Sequence, residues 1–126
     1  MNDQTIEQEI QAKGLTAPRI TPDDIEANIA GEYFFTAGDG LYSVIQAARC
    51  ASDKSIEHMH GPLSCLTFCV LVLKNGFTVT GESACASPEN FDAEIGRKIA
   101  RQNAVQKIWP LMGYELKQRL HNAEKL

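Results

Sequence analysis

Apolar residues crowd the stretch LTFCVLVLKNGFTVTGES, residues 66–83, on both sides of an Asn-Gly pair. That pattern predicts two strands joined by a tight turn. Asn75 and Gly76 suit a two-residue type I′ turn, because both of its central positions need positive φ. Such a turn sets Leu73 opposite Thr78, Val72 opposite Val79, Leu71 opposite Thr80 and Val70 opposite Gly81. In that register Val70, Val72, Phe77 and Val79 share an apolar face. Leu71, Leu73, Thr78 and Thr80 share a mixed one, fit to line something partly polar.

A helical pattern follows in SPENFDAEIGRKIARQNAVQKIWPLMGY, residues 87–114. Ser87 suits the N-cap, Pro88 the first helical position and Glu89 the first turn, while Pro110 and Gly113 signal the end, so the helix is expected over about residues 88–109. At 100° per residue its apolar side chains form two strips. Phe91, Ile95 and Ile99, with Val105 and Trp109 nearby, lie on one side. Ala93, Ala100, Ala104 and Ile108 lie nearly opposite. The second strip, with Gly96 close by, is built for close packing against another helix or another subunit, and Arg97 and Arg101 border it.

Upstream, Ile6 and Ile10 suggest a short helix ended by Gly14. A second helix has Thr21 as cap, Pro22 at its start, Ile25 and Ile29 facing inward and Gly31 as stop. EYFFTAGDG reads as a short strand or buried loop entering a turn at Gly38, Asp39 and Gly40. LYSVIQAARCAS fits either a strand or a helix, residues 50–63 a variable polar loop, and GYELKQRLHNAEKL a short closing helix. The order predicts an α+β fold: an antiparallel sheet containing a central hairpin at about residues 66–83, a long helix and short flanking helices. The chain is expected to form one domain, 1–126, with an N-terminal helical segment (1–31), a β region (32–86) and C-terminal helices (87–126). A lone hairpin is marginal, so further strands must come from residues 32–50 or from a partner subunit.

Charge narrows the partners. The formal net charge is −4, with four Lys/Arg against ten Asp/Glu in residues 1–63 and eight against six in residues 64–126. An acidic surface is a poor match for duplex nucleic acid but leaves room for a small anion held by one or two arginines. No apolar run approaches the ~18 residues of a membrane helix, and the acidic start lacks the pattern of a secretion signal, so a cytoplasmic protein is expected. Cys50, Cys65, Cys69 and Cys85 read as free, largely buried thiols. His58, His60 and Cys65 give only a weak metal signal, without a second paired cluster. No nucleophile setting or phosphate-binding glycine loop is recognisable, and Glu82 and Glu89 read as solvated acids. The expectation is a binding protein, not an enzyme, with no cofactor.

Arg97 and Arg101, one helical turn apart, suit a pyrophosphate or two phosphates through paired charge-assisted hydrogen bonds. The same spacing equally suits a solvated face or pairing with Glu89 and Glu94. Phe77, Phe91 or Trp109 can stack on a base or simply fill the core, and Asn90 can cap its helix or read a ligand edge.

ITPDDIEANIAGEYFFTAGDG, NGFTVTGES and GRKIAR closely resemble a widespread family of small phage and prophage proteins (gp49-like), and the chain also resembles the first-described group of Thoeris anti-defence proteins. Those are oligomeric sponges that hold cyclic ADP-ribose isomers without cleaving them, some also taking cyclic oligonucleotides. The resemblance implies a sponge for cyclic nucleotide immune messengers, a dimer-based homo-oligomer of up to six copies, acting in the cytoplasm of an infected bacterial host. It carries the ligand-binding role onto Arg97 and Arg101, with Thr80, Asn90 and Phe77 as companions. The alternative is a phage module that docks on a host protein and inhibits it.

Overall fold

Cys69, Leu71 and Leu73 alternate with Phe68, Val70 and Val72, and the hairpin turn decides which set is buried. In the computed structural model, which describes residues 2–125, Leu73 N–H donates to Phe77 O and Gly76 N–H to Leu73 O, both at 2.8 Å. The loop therefore holds three residues, Lys74, Asn75 and Gly76, with Gly76 at φ +89° closing a type I turn with a bulge. This corrects the two-residue turn expected from Asn-Gly. The extra residue shifts the register by one, so Val72 faces Thr78, Leu71 faces Val79, Val70 faces Thr80 and Cys69 faces Gly81. A one-residue slip exchanges faces. Cys69, Leu71, Leu73 and Val79 form the core, whereas Thr78 and Thr80 share the outer face with Val70 and Val72.

The third strand comes from the chain itself. Its β1 (Ile29–Thr36) pairs antiparallel with β2 (Leu66–Leu73), which pairs with β3 (Thr78–Ala84). The architecture is α+β, as the pattern implied. Two short helices precede the sheet, α1 (Asp3–Ala12) and α2 (Pro22–Ala27). Thr21 caps α2 in a reciprocal capping box with Asp24. The helix ends at Ala27 rather than reaching Gly31, and Ile29 joins β1. Between β1 and β2 run α3 (Ala37–Ala48) and α4 (Asp53–His60). Thr36 and Asp39 form a capping box that turns the end of β1 straight into α3, and Ser52 caps α4 where a loop was expected.

The last helix, α5, spans Ala93–Glu124, with Asp92 as N-cap. Ser87 and Pro88 open only a 3-10 turn, Pro88–Asn90, with no side-chain cap. Pro110 lies inside α5 and does not end it. It stands on an exposed side of the helix beside exposed Gln106, whose carbonyl loses its donor where water can replace it. The long helix and the closing helix expected from the sequence are one.

The Ala strip of α5 packs within the chain. Ala100, Ala104 and Ile108 are fully buried against β2 and β3, and a Cβ added to Gly81 would collide with the Ala100 carbonyl oxygen and the Ala104 nitrogen. This corrects the expectation of another helix or another subunit, since the partner is the chain's own sheet. The other strip is split: Val105 is buried in the core and Trp109 packs against it, while Ile95 and Ile99 stay open, 55% and 43% exposed. The N-terminal segment is pinned by Glu7, which accepts from Arg19 Nη1 at 2.5 Å and Nη2 at 2.7 Å and from Gln11 Nε2 at 2.7 Å.

Replacing Gly81 with Ala should cost roughly 3 kcal/mol, because backbone rather than a yielding side chain occupies the space. Urea denaturation would read this as a lower midpoint. The Arg19 guanidinium holds the Glu7 carboxyl at about 2, against 4.5 ordinarily. A depressed carboxyl stabilises the fold above the unfolded value and loses that contribution as pH falls from about 4.5 through 2. The melting-temperature difference between wild type and Glu7→Gln should therefore be full at pH 6 and shrink over that acid window.

Candidate functional site

A turn of helix advances about 5.4 Å and two strand residues about 6.8 Å, so side chains four apart on α5 meet successive inward positions of a neighbouring strand. Helix α5 lies over β3 and β2, and Arg101 and Arg97 reach from it toward the inner side of β1. What each finds there differs. Arg101 donates from Nη1 and Nη2 to the two carboxylate oxygens of Glu26, at 3.0 and 2.7 Å, and from Nε to Glu32 at 2.8 Å. The bidentate pair with Glu26 ties α5 to α2, and the Glu32 bond ties it to β1. The hydrogen bond from Arg101 lowers the Glu26 carboxyl below its usual range, and the two carboxylates raise the Arg101 guanidinium further. Its forks are taken, which corrects the expectation that both arginines face a ligand.

One turn earlier Arg97 is exposed and, among the described residues, makes no ion pair. It lines a cavity of about 110 Å³ together with Phe34, Phe35, Thr36, Asp39, Thr67, Phe91 and Ala93. Two helix N-termini meet at this cavity: Thr36 and Asp39 belong to the start of α3, and Ala93 is the first residue of α5. Their aligned amides favour negative charge nearby. Each helix start already carries one carboxylate: Asp39 Oδ2 accepts from Thr36 N–H and Asp92 Oδ1 from Ile95 N–H, both at 3.0 Å.

Thr67 completes the arrangement. It is 3% exposed, and its Oγ1 is buried with no hydrogen-bond partner among the described residues. Gly96 keeps this corner open, because a Cβ there would stand 3.1 Å from the Thr67 hydroxyl and 3.7 Å from the Phe91 ring. An orphaned hydroxyl costs roughly 1–3 kcal/mol unless something bonds it. A guanidinium, an unsatisfied hydroxyl, phenylalanine rings and a carboxylate can engage, respectively, an anion, a polar ligand atom, a ring face and a hydrogen-bond donor.

Asn90, Thr80 and Phe77 do not converge on this cavity. Asn90 is exposed in the 3-10 turn next to Phe91, its backbone N–H donating to Ser87 O at 2.9 Å. Thr80 lies on the outer face of the sheet, away from α5, with Oγ1 3.5 Å from Glu82 Oε1. Phe77, 55% exposed, sits at the hairpin turn and lines a separate cavity with Leu73, Leu111 and Met112. Of the sequence candidates, Arg97 and Phe91 line the cavity. Sequence reading missed Thr67, whose signal was a polar residue inside an apolar strand, and Asp39, whose signal was the Thr36-to-Asp39 cap.

All four cysteines are free, Cys65 and Cys69 buried, Cys85 half-buried and Cys50 exposed. Burial is the first cause raising the Cys69 thiol. Among the described residues no three His, Cys, Asp or Glu side chains gather as a metal site, and no helix is long and apolar enough to cross a membrane.

A small α+β domain with a cavity at the edge of its helix layer is a fold class, and the comparison with known families makes it more definite. Residues 20–120 match the phage protein (N4 Gp49/phage Sf6 gene 66) family, and the chain belongs to that family. No curated protein and no solved structure matches it.

Arg101→Met should lower stability by about 1–2 kcal/mol, because it leaves Glu26 and Glu32 without their shared counter-ion in a partly exposed setting where each pair is worth little alone. Thermal melting of this variant beside Arg97→Met, which should melt like wild type, would separate the strut from the free arginine.

Proposed function

We propose that this phage protein is a non-catalytic sponge that binds and sequesters cyclic nucleotide messengers of host defence, cyclic ADP-ribose isomers foremost and cyclic di- or trinucleotides next. The observation that carries the reading is the free Arg97 guanidinium beside the orphaned Thr67 hydroxyl at two helix N-termini. Membership of a phage family and the resemblance to Thoeris anti-defence proteins supply the biological setting.

Arg97 would bond a phosphate, the Thr67 hydroxyl a second ligand oxygen, and a phenylalanine ring the face of the base. About 110 Å³ holds one such fragment, whereas a whole small-molecule ligand fills roughly 300 Å³ or more. The remaining walls therefore come from neighbouring copies in a homo-oligomer. Sequestration acts by mass action: free messenger falls when sites outnumber it and the dissociation constant lies below the receptor's threshold. No bond is broken, no cofactor is needed, and the site of action is the cytoplasm of the infected cell.

The second reading is a module that docks on a host protein, favoured by the exposed Tyr33 and Phe35, 59% and 42% accessible. Calorimetry with cyclic ADP-ribose isomers and cyclic GMP-AMP decides between them. Wild type should bind at least one probe and release it intact on heating, and Arg97→Glu should bind at least tenfold more weakly. Absence of binding to every probe, chromatographic cleavage products, or undiminished binding by Arg97→Glu would overturn the sponge.

A further inference from the structure

Helix α5 covers only one side of the sheet. Pairing places Tyr33, Val70 and Thr80 on one rung of the other side, Phe35, Phe68 and Glu82 on the next, and Gly31, Val72 and Thr78 on the rung before. This outer face is apolar along β1 and β2. The Tyr33 ring lies over Gly31, where a Cβ would meet it at 3.0 Å, and the Phe35 and Phe68 rings lie 5.7 Å apart, tilted by 37°. Tyr33 and Phe35 nevertheless remain 59% and 42% exposed.

We infer that the outer sheet face is a self-association surface, on which two copies stack face to face about a two-fold axis running along β2. The first argument is area. Three outward rungs about 6.8 Å apart cross the three strands, which lie about 4.8 Å apart, and a fourth, Leu66 with Ala84, continues on β2 and β3 alone; with side-chain relief they present roughly 600 Å² of accessible surface per copy. Two copies together cover about 1,200 Å², the lower bound for a stable, specific interface, so the face by itself suffices for a dimer of modest affinity.

The second argument is shape. The face is high along one edge and low along the other: β1 carries Tyr33 and Phe35, β2 carries Phe68, Val70 and Val72, and β3 carries Thr78, Thr80 and Glu82. A two-fold axis along β2 lays the aromatic edge of each copy over the threonine edge of the other, with the valines meeting at the centre. Tyr33 of one copy then faces Thr80 of the second. The product is a six-stranded sandwich with its sheets about 10 Å apart, a standard aligned packing. An axis across the strands would instead set Tyr33 against Tyr33 and leave the threonine edges facing across a gap. In the stacked pair the α5 layers are outermost; Phe35 belongs both to this face and to the lining of the Arg97 cavity, and the inference stands whether or not that cavity holds a nucleotide.

Sedimentation equilibrium on the full chain tests this. Wild type should dimerise in the micromolar range, and Tyr33→Glu and Thr80→Arg should each weaken the dimer at least tenfold while keeping the far-ultraviolet circular dichroism of wild type. Combined in one chain, the two substitutions should restore association, because the introduced carboxylate of each copy then meets the introduced guanidinium of the other. Ile99→Glu, on the open strip of α5, should leave the dimer unchanged. A wild type that stays monomeric to about 500 μM, a concentration at which a 1,200 Å² interface should be populated, would overturn the inference. So would single variants that dimerise like wild type, a double variant that stays apart, or a dimer lost through Ile99→Glu alone.

Discussion

The approach of α5 to β3 governs everything else in this domain. Gly81 has no side chain, and Ala100 and Ala104 have the smallest a helix can offer, so backbone rests on backbone and the helix lies lower on the sheet than Leu or Val would allow. That depth lets Ile108 be wholly covered. It also brings the flank of α5 within arm's reach of β1, which the helix does not itself cover. Arg97 and Arg101 span that distance, and their long stems are useful only because the contact beneath them is so short.

The two arginines look equivalent along the chain and are opposite in the fold. Arg101 meets Glu26 and Glu32, acids contributed by α2 and β1, and becomes part of the framework. Arg97 arrives one turn earlier, at Phe34 and Thr36, where strand and helix start supply aromatic surface and amides, and the carboxylate there, Asp39, accepts from Thr36 N–H instead of pairing with Arg97. A charge with no partner among the described residues stands out beside the closely matched Glu7–Arg19 and Glu26–Arg101 pairs, and it borders a buried hydroxyl that is equally unmatched among them.

Much of the secondary structure was legible because it rests on local chemistry. The cap at Thr21, the Ile25 anchor and the alternating run in β2 act within a few residues, and the α+β class followed from them. What was not legible depends on geometry at a distance. Asn75 and Gly76 fit two turn types, and only the pairing of Leu73 with Phe77 selects the longer loop and with it the face of every residue in the hairpin. Pro110 reads as a stop unless one knows that its side of the helix faces water. The Ala strip of α5 announced a close contact correctly, but whether the other surface belonged to the same chain or to a second one was hidden until Gly81 was found beneath it. For the same reason Glu26 and Glu32, far upstream in the chain, gave no hint that they would claim Arg101.

Residues 37–65 form a detour that departs from the sheet at Thr36 and rejoins it at Leu66, and Thr36 and Thr67 are paired neighbours in the ladder. Because the two ends of the detour are held side by side by strand pairing, its interior can be lengthened, shortened or exchanged at an entropic cost that grows only with the logarithm of its length. Helices α3 and α4 rest mainly on each other and on the 3-10 turn Pro62–Cys65, with smaller contacts from α3 to β1 and β2, so such exchanges fall mostly outside the three strands and α5. The domain thus has a detachable crown on a fixed base. The crown's first turn, at Thr36 and Asp39, is also a wall of the Arg97 cavity, so remodelling it would retune what the cavity admits without rebuilding the platform that holds Arg97 in place.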